Sequence, residues 1–575
     1  MKIKLPKDLR GVVFQRVLMI DVSDFDIDLF LPALFFTILS GGRGRARKAN
    51  DPKTIDRYVS GLAEHQSVEG FTNAEGRKIL DRLVRTALIV TGRVGIFRRD
   101  EQILSTVPYT LLAHKPGFPT GASRHRNADI FIYQLLLERM GGADDTLRAF
   151  IKDVFGKGIR VGNLPTLGGE YDGITQLDTL TRLSIAFLDG MQTTGVGSTR
   201  TKVAPSACPR PAREFAADLL QYLFAYHTLM PERALTYYLQ ALINFELFIY
   251  TTKLVHAINE LVGNPDVLST VMLETVQVSA PQIYVDFTGG QSGLSQEMAR
   301  ACVRRDMEAY QQFLFNNLLL RLLDRYAETI RRMSTQRAEI DAVLPSPDKG
   351  PYYLQRLLQL QKDPLMGPLI QASARVDEDR IRRESVHDDE NEDLSESTWI
   401  DELVSGAGSE IERVVTLLVE AQRARALKNF VGWFSGVGGL TKPHGLLQGT
   451  VGKRQNWRYE PSNDLLAVLV QLAAAREPVK EDSPGREVSP QPIRLQDFLA
   501  FLETRFGVIV DRPPSPFAGA DYAAAARDNL QAMLGRLRQM GIFRDLSDDF
   551  TVQRLEPPYA IPAASEPGGR KRVLR

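Results

Sequence analysis

The sequence predicts a mainly α-helical protein with small β-hairpins, in which winged-helix domains at both ends flank a helical bundle or an irregular α-solenoid. Three observations support this fold class. Long segments in the middle carry apolar residues at three- and four-residue spacing, which is the period of a helix. Near each end, two helical segments precede two short segments rich in β-branched and aromatic residues. The tetrapeptide GIFR occurs in both places, at 95–98 and at 541–544.

Length and composition indicate a multidomain globular protein. At 575 residues the chain exceeds one ordinary core, and roughly three or four domains are expected. Hydrophobic residues make up 43% and charged residues 25%, as in other globular proteins. The predicted divisions are 1–120 for a basic winged-helix-like domain, 121–345 for a helical domain, 346–400 for a helix and an acidic linker, 401–480 for a helical segment with a basic and aromatic hairpin, 481–562 for the second winged-helix domain, and 563–575 for a disordered basic tail.

No export or membrane segment is predicted. The amino terminus is basic but lacks a long apolar run and a small-residue cleavage site. The most apolar stretch, 29–39, has 11 residues and contains a proline, whereas a membrane-spanning helix needs about 20 residues. We therefore expect this stretch to be a buried helix. The two cysteines, Cys208 and Cys302, can form at most one bridge, so a cytoplasmic protein without a membrane partner is the simplest interpretation.

The net charge of +1 hides an uneven distribution. Residues 1–127 contain 21 Lys and Arg against 13 Asp and Glu, which suggests a polyanionic partner or a solvated basic face. Residues 377–402 contain 12 acidic residues against 3 arginines. Because this acidic stretch has few apolar residues, we expect it to be an exposed linker.

The first predicted winged-helix domain has the order helix, helix, hairpin. A short helix is expected within 51–65, and a second helix begins at Thr72, whose glutamate three residues later forms a capping-box pattern. A threonine–glycine pair at 91–92 ends this helix. Segments 93–99 and 102–112 then form the two strands of the hairpin. The apolar face of the second helix is predicted to contain Ile79, Leu80, Leu83, Val84, Ala87 and Leu88.

The second predicted winged-helix domain repeats this order. Helices are expected at 495–507 and 521–540, followed by strands at 542–546 and 550–555. In each GIFR copy the glycine is predicted to end the last helix, the Ile and Phe to anchor the first strand to the core, and the Arg to begin the wing. The buried stripe of the longer helix is predicted to contain Leu530, Met533, Leu534, Leu537 and Met540.

The two predicted wings differ in charge. The first hairpin and the segment before it are rich in arginine, which attracts phosphates, and the second helix could lie in a major groove. The second hairpin carries Asp545, Asp548 and Asp549, so we expect it to contact protein or to be structural. The residues predicted to bind nucleic acid in the first domain are Arg43, Arg45, Arg47, Lys48, Arg77, Lys78, Arg82, Arg85, Arg98 and Arg99.

The middle of the chain is predicted to be helical at 127–142, 212–229, 232–263 and 295–333. We find no fixed repeat of the length typical of regular helical arrays. Its tyrosines and phenylalanines are expected to form a core and not a platform for stacking bases.

Three loops could serve a chemical role. A glycine-rich loop at 286–293, before a helix expected to be capped by Ser295, could bind an anion through Thr288, Gly289, Gly290 and Gly293, but it lacks the lysine of a P-loop. Glu170, Asp172 and Asp178 could bind a metal, although a polar loop is the preferred interpretation. The segment 441–472 combines basic residues with Trp457 and Tyr459; these either contact nucleic acid or cover a core in which Trp457 is buried. The residues concerned in the first case are Lys453, Arg454 and Arg458.

No cofactor or metal is predicted. None of the seven histidines has another histidine four residues away, and neither cysteine has a cysteine or histidine nearby in sequence. A catalytic site assembled from distant segments stays open, but no nucleophile motif marks one.

Two segments, "IYVDFTGGQSGLSQEMARACVRRDMEAYQQFL" at 283–314 and "NWRYEPSNDLLAVLVQLAAA" with "IRLQDFLAFLETRFGVIVDRPP" within 456–514, resemble stretches of proteins encoded among bacterial anti-phage defence genes. The resemblance is to a non-catalytic subunit of methylation-associated defence systems. It implies a bacterial multi-subunit complex that recognises or acts on foreign DNA, with other defence proteins as partners, and it carries over no catalytic residues.

The sequence therefore predicts a non-catalytic subunit that binds double-stranded DNA and scaffolds partner subunits in defence against phage. Two alternatives remain. The first is a metal-dependent nuclease or other enzyme whose site is assembled from distant segments, with Glu170 and Asp286 as candidate carboxylates. The second is a scaffold that contacts only protein.

Overall fold

The computed structural model describes residues 3–45, 55–64, 69–92, 102–106, 126–160, 170–177, 179, 182, 196–199, 205–273, 281–333, 337–386, 393–475, 490–543 and 553–560. Within these ranges the protein is mainly helical with short strands, as the sequence predicted. None of the described helices combines the length and the apolar character needed to cross a membrane.

The helices of the described residues fall into an amino-terminal group, a large central group and a carboxy-terminal pair. Their bounds are α1 (Ile27–Leu39), α2 (Ile55–Ala63), α3 (Ala74–Leu83), α4 (Ala128–Arg139), α5 (Asp144–Phe155), α6 (Pro209–Tyr226), α7 (Glu232–Gly263), α8 (Gly293–Met333), α9 (Arg337–Val343), α10 (Pro351–Gln359), α11 (Met366–Val386), α12 (Asp393–Val404), α13 (Glu410–Val437), α14 (Asn463–Ala474), α15 (Leu495–Phe501) and α16 (Ala520–Gln539). One π-helical turn follows α3 at Val84–Leu88 and another follows α15 at Leu502–Phe506.

The described strands pair two by two. Their bounds are β1 (Arg43–Arg45), β2 (Ile89–Gly92), β3 (Gln102–Thr106), β4 (Ile159–Arg160), β5 (Glu170–Tyr171), β6 (Val196–Thr199), β7 (Ile283–Tyr284), β8 (Leu447–Gln448), β9 (Arg458–Tyr459), β10 (Ile493–Arg494), β11 (Val508–Ile509) and β12 (Arg554–Leu555). The pairs β1–β6, β2–β3, β4–β5, β8–β9 and β10–β12 are antiparallel, and β7–β11 is parallel.

The centre of the fold is built on α7 and α8. Every side chain from 239 to 255 of α7 is buried, which is expected for a helix whose apolar residues cover all of its faces. The 41-residue α8 packs against α7 on one side and α13 on another, and it also contacts α10, α11 and α16. Because so many elements pack against it, α8 is the central helix of the described fold.

The apolar stretch at 29–39 is a buried helix, as predicted. It lies within α1, where Phe30 and Leu31 are fully buried, and α1 packs against α4 and α5. Asp26 caps the helix by accepting a hydrogen bond from the Asp28 amide at 3.2 Å.

The carboxy-terminal segment packs directly onto the helical middle. Strand β11 adds to β7 with Val508 opposite Ile283, and the Asn529 side chain on α16 accepts a hydrogen bond from the Phe287 amide at 2.6 Å. A connected cluster of buried apolar side chains runs from Ile3 to Leu555. The described part of 481–562 therefore shares a core with the helical middle.

The second GIFR copy behaves as predicted where it is described. Gly541 follows α16 with a φ of +71°, and the side chains of Ile542 and Phe543 are 1% and 3% exposed. Phe543 forms an isolated β-bridge with Leu555, which belongs to β12 and pairs with Ile493 of β10. The predicted stripe on α16 is buried at Leu530, Met533, Leu534 and Leu537, and Met540 packs against the core partly buried. Asp545, Asp548 and Asp549 lie outside the described residues.

The acidic stretch at 377–402 is helical where it is described, so the prediction of an exposed linker was wrong for this part. Asp377 and Glu378 belong to α11 and are 4% and 5% exposed. Arginines pair with both carboxylates, including Arg380 with Asp377 at 2.8 Å and Arg413 with Glu378 at 3.0 Å. Composition suggested that these carboxylates are exposed to solvent, because it does not show that arginines of α11 and α13 pair with them.

Candidate nucleic-acid interface

Near the amino terminus, two helices are followed by two paired strands, but the predicted first strand at 93–99 lies outside the described residues. Helix α2 packs against α3, and β2 pairs with β3 from Ile89 opposite Thr106 to Gly92 opposite Gln102. Strand β3 also packs against α1, which connects this group to the core. We call α2, α3, β2 and β3 the amino-terminal module.

The boundaries of α3 differ from the prediction at both ends. Its cap is Asn73 and not Thr72, because the Asn73 side chain accepts a hydrogen bond from the Gly76 amide at 2.6 Å. Gly76 has no room for a side chain, since an added Cβ would lie 2.6 Å from the Gly70 carbonyl oxygen. At the other end, α3 is followed by the π-helical turn at Val84–Leu88. Strand β2 then starts at Ile89, which was predicted to be helical.

Two of the four predicted basic residues on the second helix are engaged within the module. Arg77 pairs with Glu64 at 3.2 Å, and Arg85 pairs with Asp81 at 2.9 Å and with Asp56 at 3.4 Å. Glu64 and Asp56 come from α2 and the residue after it. The pairs with Glu64 and Asp56 therefore connect α3 and the turn after it to α2, although such partly exposed pairs contribute only about 0–1 kcal/mol.

The other two basic residues, Lys78 and Arg82, face solvent. Both side chains are exposed, and no ion pair is recorded for either within the described residues. They lie one turn apart on α3, on the side away from the buried Leu80 and Val84. Among the side chains of this module that the structure describes, Lys78 and Arg82 are therefore available to an external anion.

The remaining predicted residues of the first domain can be placed only in part. Arg43 is exposed on β1, which pairs with β6, and Arg45 ends the same strand. The residues outside the described ranges are Arg47, Lys48, Arg98 and Arg99, together with the first GIFR copy.

The segment at 441–472 contains the predicted hairpin, formed by β8 and β9, and its aromatic residues belong to the core. Trp457 and Tyr459 are 3% and 0% exposed, and Trp457 donates a hydrogen bond to the Thr450 carbonyl at 3.0 Å. Arg458 donates to Glu460 at 2.8 Å. Of the basic residues predicted here, Lys453 and Arg454 are exposed in the turn between the strands. This hairpin packs on α8, whereas α3 packs on α2, so the two predicted basic groups lie on different parts of the fold.

Two other residues of this segment are Lys442, which is paired with carboxylates, and His444, which is buried. Lys442 donates to Asp26 at 3.0 Å and to Asp28 at 2.6 Å. Burial lowers the pKa of Lys442, but Asp28 and Asp26 outweigh burial and raise it. His444 is 3% exposed, and burial lowers its pKa below the ordinary value.

The glycine-rich loop holds a carboxylate of its own. Asp286 is fully buried and accepts hydrogen bonds from the Thr288 amide at 3.2 Å, the Thr288 hydroxyl at 2.8 Å and the Ser295 hydroxyl at 2.6 Å. At the start of α8, the Ser292 hydroxyl oxygen accepts a hydrogen bond from the Ser295 amide, so the capping residue is Ser292 and not the predicted Ser295. Gly289 and Gly290 adopt positive φ angles of +61° and +96°. The negative charge of Asp286 opposes a second anion in this loop.

The acidic loop at 170–178 forms a turn around Asp172. Its carboxylate accepts from the Ile174 and Thr175 amides, each at 2.9 Å, which is an ordinary Asx-type turn. Asp178 lies outside the described residues. In the described part of the chain, no three His, Cys, Asp or Glu side chains form a group suited to a metal ion.

Sequence reasoning missed a buried polar junction centred on Asp306 of α8. The fully buried carboxylate accepts from His256 on α7 at 2.8 Å, from Arg305 at 2.8 Å and from Tyr459 on β9 at 2.7 Å. Burial alone would raise the pKa of Asp306, but the His256 hydrogen bond and the Arg305 charge hold it below its usual range. The junction joins α7, α8 and β9.

A second buried polar group fastens the carboxy-terminal segment to the middle. Arg505 donates to Asp218 on α6 at 2.8 Å, and Lys253 on α7 donates to the Arg505 carbonyl at 2.6 Å. Glu246 lies nearby, where burial and the charge of Asp218 raise its pKa well above the ordinary value. The sequence signal was the presence of Glu246 and Lys253 within an otherwise apolar stretch of α7.

Comparison with known proteins gives one match. The family model described as "Methylation-associated defense system protein MAD7" matches residues 7–559. No curated protein and no solved structure matches the chain.

Proposed function

Because the chain belongs to the family of methylation-associated defense system protein MAD7, we propose that it is a non-catalytic subunit of such a system that binds duplex DNA and scaffolds partner subunits. Membership of a defence system makes other protein subunits its expected partners.

The observation that carries the DNA-binding part is the exposed basic side of α3. Lys78 and Arg82 project from it without a recorded ion pair among the described residues, and Arg43 is exposed on β1, which directly follows α1. A helix supported by a second helix and followed by a hairpin is a common way to present side chains to a major groove. Lysine and arginine at its exposed side would neutralise phosphates and release counterions.

The scaffolding part rests on the shape of the middle. The 41-residue α8 spans about 60 Å at 1.5 Å per residue, and α7, α10, α11, α13 and α16 pack against it. The elements that pack along a helix of that length could offer partner subunits widely separated contact points. We expect the carboxy-terminal segment to contact protein, since its predicted wing carries three aspartates that would repel phosphate.

The proposal is tested by salt-dependent binding of the purified protein to a fluorescent duplex. We expect Lys78→Ala/Arg82→Ala to weaken binding at every salt concentration. We also expect the slope of log K against log salt to become shallower by about 2, because each lost phosphate contact removes about 0.9 from it. The matched control is Lys349→Ala/Lys362→Ala, which removes two exposed lysines from the helical middle and should leave the slope unchanged.

Equal losses in the two double variants would contradict an interface on α3. A second variant extends the test to the rest of the predicted basic group, part of which lies outside the described ranges: Arg43, Arg45, Arg47, Arg98 and Arg99 changed together to alanine should also weaken binding. Co-purification with partner proteins but no duplex binding by the wild type would instead support a scaffold that contacts only protein.

The nuclease alternative gains no support from the candidate carboxylate Asp286. This side chain is fully buried and already accepts three hydrogen bonds, so it does not face a substrate or an exposed metal site. Metal-dependent cleavage by the wild type, lost in Asp286→Ala or Glu170→Ala, would overturn the non-catalytic assignment.

A further inference from the structure

The exposed side of α3 carries one large apolar residue, Ile79. Sequence periodicity placed Ile79 on the buried face, but its side chain is 60% exposed. The buried face consists of Gly76, Leu80 and Val84. Single exposed apolar side chains are common on protein surfaces, so exposure alone decides nothing, and the neighbours of Ile79 must be considered.

Those neighbours are Lys78 and Arg82, for which no ion pair is recorded among the described residues. With 3.6 residues per turn, Lys78 and Arg82 fall on the same side of Ile79, one residue before it and three residues after it. The exposed side of α3 therefore combines two cations with a β-branched apolar side chain. Isoleucine is a poorer helix former than alanine, so its presence at an exposed helix position gives α3 no intrinsic stability.

Two polar residues, Glu75 and Thr86, lie on this side. Glu75 is exposed one turn before Ile79. The Thr86 hydroxyl donates to the Arg82 carbonyl at 2.7 Å, so it is occupied within the helix. Ile79 is thus the main apolar feature that α3 would present to a bound duplex, and Glu75 could accept a hydrogen bond from a base amino group.

The chemistry that matches an aliphatic side chain in the major groove is a methyl group at the edge of a base. Thymine presents a C5 methyl there, and cytosine presents one only when it is methylated at C5. Lysine and arginine beside the aliphatic group would hold the helix in the groove through the phosphates, which carry no sequence information themselves.

We propose that Ile79 recognises the C5 methyl group of a pyrimidine in the major groove, so that α3 distinguishes methylated from unmethylated pyrimidines. This inference rests on the proposed DNA binding by α3. It adds a contact that recognises a base, whereas the phosphate contacts of Lys78 and Arg82 are the same for every sequence.

The experiment compares four duplexes of one mixed sequence, prepared with thymine or uracil and with cytosine or 5-methylcytosine. Uracil differs from thymine only by the C5 methyl group. We expect the wild type to bind the thymine duplex about fourfold more tightly than the uracil duplex, which corresponds to burying one methyl-sized group at about 0.8 kcal/mol. Tighter binding of the 5-methylcytosine duplex would assign the methyl group to modified cytosine, and a thymine effect alone would assign it to thymine.

The variant Ile79→Ala should bind all four duplexes with equal affinity and keep the salt slope of the wild type, because it removes no phosphate contact. Val376→Ala is the matched control: Val376 is 57% exposed on α11, and its variant should keep the full preference for methylated duplexes. Circular dichroism should show both variants folded, since alanine favours a helix.

The outcomes separate this inference from the proposed function. Binding by the wild type without any preference among the four duplexes, or an unchanged preference in Ile79→Ala, would overturn methyl recognition and leave DNA binding intact. No binding of the wild type to any duplex would overturn the proposed DNA binding and the inference with it.

Discussion

At the scale of single residues, the buried charges of the middle are each matched by partners from other elements. Asp306 receives hydrogen bonds from side chains on α7, α8 and β9, and Lys442 joins the loop after α13 to Asp26 and Asp28 before and within α1. Burying such a group without partners would cost several kcal/mol. These contacts therefore select one arrangement of segments that lie far apart in the sequence.

Removal of the Asp306 carboxylate should destabilise the protein strongly. In Asp306→Ala, Arg305 and His256 lose their buried acceptor, and we expect the free energy of unfolding to fall by about 3–5 kcal/mol. Chemical denaturation measures this change. Glu297→Ala removes an exposed carboxylate from the same helix and should change the free energy by less than about 0.5 kcal/mol. Similar values for the two variants would show that the junction is not a stabilising contact.

His444 should make the stability depend on pH. Burial lowers its pKa below 6.5, an effect that Lys442 reinforces and that Asp28 and Asp464 oppose. Between pH 6.5 and the lower folded-state pKa, His444 is protonated in the unfolded chain but mostly neutral in the folded protein. The stabilising contribution is therefore complete above pH 6.5 and is lost as pH falls through the folded-state pKa.

The measurement is the free energy of unfolding between pH 7 and pH 5 for the wild type and for His444→Phe, which keeps an aromatic ring beside Tyr237. The variant should lose less stability over this range. A loss as steep as that of the wild type would mean that His444 does not titrate on unfolding.

At the scale of elements, local sequence signals located the end of α16 but neither boundary of α3. Gly541 follows α16 as predicted, because a left-handed backbone at that position favours glycine. The start of α3 was predicted one residue too early, because Thr72 and Asn73 are both good capping residues and only the packing at Gly70 and Gly76 decides between them. The early start of β2 was not predictable from spacing, since Ile89 and Val90 suit a strand as well as an amphipathic helix.

Two glycines of the carboxy-terminal region should respond to alanine in opposite directions. Gly535 lies inside α16 and has open space around it, so Gly535→Ala should stabilise the protein by up to about 1 kcal/mol. Gly541 also has open space, but its φ of +71° is costly for alanine, and Gly541→Ala should destabilise by about 1–2 kcal/mol. Chemical denaturation of the pair checks the signs, and two changes of the same sign would contradict the assigned end of α16.

At the scale of the whole molecule, the sequence predicted the helical class and the long helices, because apolar spacing over many residues is a strong signal. It did not predict how closely the carboxy-terminal segment packs on the middle. That packing depends on Arg505 reaching Asp218 and on β11 pairing with β7, both contacts between residues more than 200 positions apart. In the candidate interface, the sequence predicted two helices before the paired strands. It did not predict that Arg77 and Arg85 pair with carboxylates or that Ile79 is exposed, because both depend on how α3 packs on α2.

We propose that the amino-terminal module contacts duplex DNA. Hydrogen–deuterium exchange of the full chain, with and without a saturating mixed-sequence duplex, locates the residues that the duplex covers. We predict slower exchange at 55–64 and 69–92, with Lys349→Ala/Lys362→Ala behaving as the wild type and Lys78→Ala/Arg82→Ala losing the effect. Unchanged exchange in these two segments, while another part of the chain becomes protected, would contradict the claim.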